Sequence, residues 1–164
     1  MPRLRRRQRL RQKEAQSLVE NLRESLGVEV AKADEPIEIA EAENHRIILV
    51  KDRSIGLFVN DRPFLTVRGL LLHKPERLHV TVDMGAVKFV CNGADIMSPG
   101  IIDADRTIKA GDLVWVRDEK NRQPLAIGEA LITGEEMAVA ESGKAVRSIH
   151  HVGDAIWKLD EEGQ

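Results

Sequence analysis

Few side chains in this 164-residue chain have the type and spacing that chemistry requires. Its five histidines are His45, His73, His79, His150 and His151; none forms a His-x-x-x-His pair and none has a cysteine at ligand spacing. In a strand, His150 and His151 would point to opposite faces and so cannot share one metal. The single cysteine, Cys91, has no internal disulfide partner and falls within an apolar stretch of helical pattern, where an inert, buried thiol is expected. Carboxylates are plentiful, but no Gly-x-Ser-x-Gly elbow, Walker loop or Gly-x-Gly-x-x-Gly accompanies them. The expectation is a protein with no metal, no cofactor and no catalytic site of its own.

What remains is charge. Residues 1–13 hold Arg3, Arg5, Arg6, Arg7, Arg9, Arg11 and Lys13 and no acid, a charge of +7, while the rest of the chain carries −9 and the whole −2. A basic arm on an acidic body points to an anionic partner, with nucleic acid the first candidate. A solvated, frayed helix end, or an arm folded back onto the acidic body, remains the alternative. Three Phe, two Trp and no Tyr argue against an aromatic platform for single-stranded nucleic acid. No apolar run approaches the roughly 18 residues of a membrane span, and no apolar segment behind the basic start marks a secretory signal. With one cysteine, a reducing cytoplasm is expected.

The elements that must position these groups follow from periodicity. Ala15, Leu18, Val19, Leu22 and Leu26 share a helical face and Gly27 is placed to end it. With no breaker after Pro2, the pattern predicts one helix over 3–26 whose basic half projects beyond the core. An acidic connector at 32–36 leads to strands over 37–42, 46–50, 55–59 and 64–67, then a short helix at 69–74 stopped by Pro75. A strand at 79–82 precedes a helix over 84–92, with Asp83 as N-cap, Gly93 as stop, and Ala86, Val87, Phe89 and Val90 facing inward. Short strands at 96–102, 113–117, 125–132, 146–150 and 155–159 follow, separated by turns, as in a small, nearly closed barrel with Trp115 and Trp157 in its core.

The stretch Val82–Gly100 opens a helix with Gly85-Ala86, closes it with Gly93-Ala94 and ends a strand in Pro99-Gly100. It resembles the signature of a PUA domain, the RNA-binding module of pseudouridine synthases and archaeosine transglycosylases. Ile108–Val114, Ala126–Gly128 and Ile149–Leu159 sit where later strands of that domain fall. The α+β first half, Leu71–Lys74, Gly85–Val90 and the Gly-Asp-x-x-Trp at 153–157 make the chain similar to the malignant T-cell-amplified sequence family and to ligatin. Those proteins pair a pre-PUA domain with a PUA domain.

The resemblance implies an α+β fold, with a pre-PUA α+β domain over 1–75, a PUA β-pseudobarrel over 76–159 and a tail over 160–164. It further implies an archaeal, cytoplasmic, non-catalytic RNA-binding protein of translation. Its partners would be rRNA or tRNA, the small ribosomal subunit and a translation factor, in initiation, reinitiation or recycling. Two other functions stay open: an accessory RNA-binding subunit for a tRNA or rRNA modification enzyme, and a protein-interaction module docking a translation factor. The expected contacts are of two kinds. Arg3, Arg5, Arg6, Arg7, Arg9 and Arg11 would touch phosphates without reading sequence. Gly85 and Ala86 at a helix start, Lys88 one turn in, and Met97, Ser98, Pro99 and Gly100 at a strand end would form the specific surface. Helix-start N–H groups suit phosphate, although Asp83 competes for them.

Overall fold

A computed structural model describes residues 3–162. Met1, Pro2, Gly163 and Gln164, the extremes of the expected arm and tail, lie outside the described residues. The chain forms two compact units, one from residues up to 76 together with 153 onward, the other from 77–152.

The first unit is a five-stranded antiparallel sheet in the order β1-β2-β3-β4-β5, formed by Arg5–Arg9, Ile37–Ala42, His45–Val50, Arg53–Val59 and Arg62–Leu65. Three two-residue turns join β2 to β5, at Glu43-Asn44, Lys51-Asp52 and Asn60-Asp61. All six turn residues have φ between 49° and 65°, the paired left-handed conformation that matches the twist of a tight hairpin. Helix α1 (Gln12–Leu26) buries Leu18, Leu22 and Leu26 and ends at Gly27, whose φ of 71° and N–H bond to the Arg23 carbonyl close it as the sequence predicts. Helix α2 (Val67–His73) starts under a Thr66 cap and packs on β4.

The expected helix over 3–26 is corrected in its first third. Residues 5–9 form an edge strand beside β2, with Arg6 at φ 52° and the register broken between Arg5 and Gln8. Arginine is a good helix former, but acids of the sheet draw this segment into extended form. Arg6 meets Glu41 at 3.2 Å, and Arg7 binds Glu38 at 2.9 Å and also Asp52. The Leu10 N–H adds a bond to the Ile37 carbonyl at 2.8 Å. Removing residues 3–9 is therefore expected to strip the β2 edge and lower the thermal midpoint by about 5 °C or more. Thermal melts followed by circular dichroism check this; an unchanged midpoint would make the strand energetically idle.

Residues 155–159, expected as the last strand of the barrel, instead form turns over 155–158 and enter α5 (Leu159–Glu162) in the first unit. Gly153 has φ 85° and the Asp154 carboxylate caps the Trp157 N–H at 3.0 Å, which curls the chain despite its alternating apolar pattern. Asp160 accepts the Ser54 N–H, and the Arg68 guanidinium lies 3.5 Å over the Trp157 ring while donating to its carbonyl. Trp157 is thus a half-buried partner of Arg68 and not barrel core.

The second unit is a six-stranded pseudobarrel ordered β7-β11-β10-β9-β6-β8. Its strands are β6 (His79–Val82), β7 (Ile96–Met97), β8 (Ile101–Ala104), β9 (Leu113–Asp118), β10 (Pro124–Ala130) and β11 (Lys144–His151). Only β6 and β9 pair in parallel. Val80, Val82, Val90, Ile96, Val114, Val116 and Met137 fill the core. Trp115 is buried as expected, its indole N–H donating to the Arg77 carbonyl at 2.7 Å. The expected single strand over 96–102 is broken by a 3-10 turn at Ser98–Gly100, because Pro99 cannot donate to a ladder. Helix α4 (Gly134–Val139) was not anticipated; its signal is the reciprocal cap between Thr133 and Glu136, a Thr-x-x-Glu pattern.

Candidate nucleic-acid interface

The second-unit candidates converge on one side of helix α3 (Met84–Val90). Gly85 and Ala86 from its first turn, and Met97, Pro99 and Gly100 from the β7–β8 corner, line one open cavity of about 560 Å³. The Asp83 N–H donates to the Gly100 carbonyl at 2.9 Å, which ties the helix start to the corner. A side chain on Gly100 would come within 3.2 Å of the Ala86 methyl, so glycine there keeps the two elements close. Of the remaining candidates, Lys88 is exposed and does not line the cavity, its ammonium 5.1 Å from the Phe89 ring. Ser98 does not reach the cavity: the same turn that presents Met97 and Pro99 buries its side chain, and its hydroxyl has no hydrogen-bond partner among the described residues.

Other residues complete this surface without having been singled out by sequence. Phe89, expected inward, is 56% exposed, because an α3 of seven residues buries only Val90 fully. Asp95 and Lys144 line the cavity and pair at 3.1 Å. The Ser148 N–H, and then the Lys144 ammonium, hold the Asp95 carboxyl below the usual carboxylate range. Neither position carries a local sequence signal, since the pair forms across 49 residues of chain.

The helix start is not an empty phosphate cradle. Asp83 accepts the Ala86 N–H at 2.9 Å, and Glu119 accepts the Met84 N–H at 2.8 Å. Two carboxylates thus occupy donors that a phosphate would want, and an anion gains there only what exceeds those bonds. The cavity wall beyond them is mainly apolar, with Ala86, Phe89, Val90, Ile96, Met97 and Pro99 facing it. Such a wall suits the face of a base or ribose, and Lys88 is exposed on the same helix for its backbone, whereas Lys144 reaches it only by leaving Asp95.

The arm arginines divide by partner. Arg6 and Arg7 are held by Glu41, Glu38 and Asp52, and Glu38 is pulled below the usual carboxylate range by Arg7. Arg3, Arg5, Arg9 and Arg11 are exposed and have no ion pair among the described residues. The sequence alternative of an arm folded onto the acidic body holds for the first two.

Among the described residues, no three His, Cys, Asp or Glu side chains stand together as a metal site, and no helix is long and apolar enough to cross a membrane. Cys91 lies at the end of α3, half-buried, where burial and then the Asp118 charge push its thiol up. A raised thiol pKa leaves less thiolate at neutral pH. Cys91 is therefore expected to react with a disulfide reagent more slowly than a small free thiol at pH 7, with its rate still rising above the ordinary thiol range. Stopped-flow rates against pH check this, and a rate above that of the free thiol at pH 7 contradicts it.

Against known proteins, the PUA domain model matches residues 79–152. An uncharacterized protein of Methanocaldococcus jannaschii is 45% identical over 75% of this chain and 76% of its own. Human malignant T-cell-amplified sequence 2 is 30% identical over 76% of this chain and 72% of its own. Translation machinery-associated protein 20 of Saccharomyces cerevisiae is 38% identical over 56% of this chain, and the match spans about half, 55%, of that protein. A crystal structure of a hypothetical protein from Pyrococcus horikoshii superposes with a TM-score of 0.83 and 37% identity, covering 93% of this chain and 98% of the other.

Proposed function

The chain belongs to the malignant T-cell-amplified sequence family of PUA-domain proteins, and from that membership we propose that it binds RNA in the translation machinery without catalysis. The RNA class is that of the small ribosomal subunit or tRNA, and the place of action is the cytoplasm. The observation that carries this reading is the meeting of Gly85 and Ala86 with Met97, Pro99 and Gly100 around one open cavity that Lys144 also lines, with Lys88 exposed on the same helix. The apolar wall takes a base or sugar, Lys88 takes backbone charge, and Lys144 joins it when a phosphate displaces Asp95. The name borne by the yeast relative supports the translational setting.

A titration against small ribosomal subunits, tRNA and a duplex RNA of arbitrary sequence at two salt concentrations tests this. Saturable binding with a preference for either of the first two is expected. Equal binding to all three, or binding to none, would refute the function.

A further inference from the structure

A second groove, of about 810 Å³, lies in the first unit between β1 and the start of α1. Arg6, Arg9, Arg11, Lys13 and Arg46 line it, with Glu14 and Glu41 its only acids among the described residues. Glu41 is already paired with Arg6. Arg46 is fixed over the Phe58 ring at 4.1 Å and reaches Asp61 at 3.2 Å. Arg9, Arg11 and Lys13 are exposed, and no ion pair to any of them is present among the described residues.

These three sit on fixed backbone: Arg9 in β1, Arg11 at the N-cap of α1 and Lys13 in its first turn. Cations at a helix start oppose the macrodipole, so the arrangement is unfavourable until an anion arrives. Elsewhere on the same strand, Arg7 is matched to Glu38 and Asp52. Arg9 faces Glu38 across the ladder, but that carboxylate is already bound by Arg7; with Arg11, Lys13 and an Arg46 held in place, it makes a prepared positive surface.

We propose that this groove holds the phosphate backbone of helical RNA without reading its sequence. The proposal rests on the RNA-binding function above and adds a second contact surface to it. Guanidinium forks match phosphate oxygens. No aromatic ring lines the groove on which a splayed base would stack, and Leu10 and Ile39 are only partly exposed, which leaves an acidic peptide no apolar anchor.

The test compares the full chain with a triple variant, Arg9→Gln, Arg11→Gln and Lys13→Gln, using a duplex RNA of arbitrary sequence across salt. Each lost phosphate contact removes about 0.9 from the slope of log K against log salt, so the parent should lose about 40-fold more affinity than the variant between 50 and 200 mM. The preference for tRNA or the small subunit over the duplex should be retained. An unchanged slope overturns the proposal. So does a parent that ignores the duplex but binds an acidic peptide through these residues, which would make the groove a protein site. If the slope falls as expected while the parent shows no preference for tRNA or the small subunit, the proposed function fails and the groove stands. Should the triple variant melt early, the double variant Arg11→Gln and Lys13→Gln, outside the strand, gives the same readout with a difference of about 12-fold.

Discussion

Gly69→Ala and Gly134→Ala are each expected to destabilise the unit that carries them by about 3 kcal/mol or more, among the largest effects of any single methyl group in the chain. A Cβ on Gly69 would lie 1.9 Å from the Ile55 carbonyl oxygen, and one on Gly134 would lie 1.9 Å from that of Asp105. Both obstacles are backbone, so no rotamer change relieves them. Each glycine sits in the first turns of a helix pressed against a neighbouring chain segment, and α2 or α4 must back away if a methyl appears. Against a total stability of roughly 5–15 kcal/mol, that is a substantial fraction. Urea unfolding checks it, with Gly85→Ala as the control, since there the added Cβ meets only an Asp83 oxygen at 3.3 Å. Unfolding midpoints for Gly69→Ala and Gly134→Ala that match the control would contradict the tight contacts.

Gly85→Glu should leave the fold intact and weaken binding to the preferred RNA about 100-fold, close to 2.7 kcal/mol. The position is exposed and helical, and the space beside it is open apart from Asp83. A glutamate there adds a third acid to a helix start already occupied by Asp83 and Glu119, and it places bulk at the rim of the cavity. Gly85→Ala separates the two causes, since its methyl adds no charge and should cost less than about fivefold. Filter binding at fixed salt, alongside melts of both variants, decides it. A folded Gly85→Glu that binds as tightly as the parent would remove this surface from the RNA site.

Two of the three hairpins of the first unit were legible from turn chemistry: β-branched runs flank Lys51-Asp52, and Asn60-Asp61 precedes Pro63. The Asp83 cap and the Gly27 stop were legible for the same reason, each being a local backbone demand. Residues 5–9 were not. An arginine-rich run has no apolar period, so nothing local separates helix from strand; the free edge of β2 and the acids Glu38, Glu41 and Asp52 decide, 31 to 45 residues away. In the candidate site, Gly85, Ala86, Met97, Pro99 and Gly100 were legible through family resemblance. Phe89, Lys144 and the Glu119 cap were not, because each depends on where a distant segment packs.

The return of residues 153–162 to the first unit reverses the order in which the two units can be finished. Chains emerge N-terminus first and their domains fold as they are completed, yet here the earlier unit lacks Trp157 and Asp160 until the later one has been made in full. The pseudobarrel is in effect spliced into its neighbour as a cassette that the chain enters once and leaves once. A nonsense mutation near codon 153 would therefore injure the unit encoded at the opposite end of the message, while sparing the one encoded just before it.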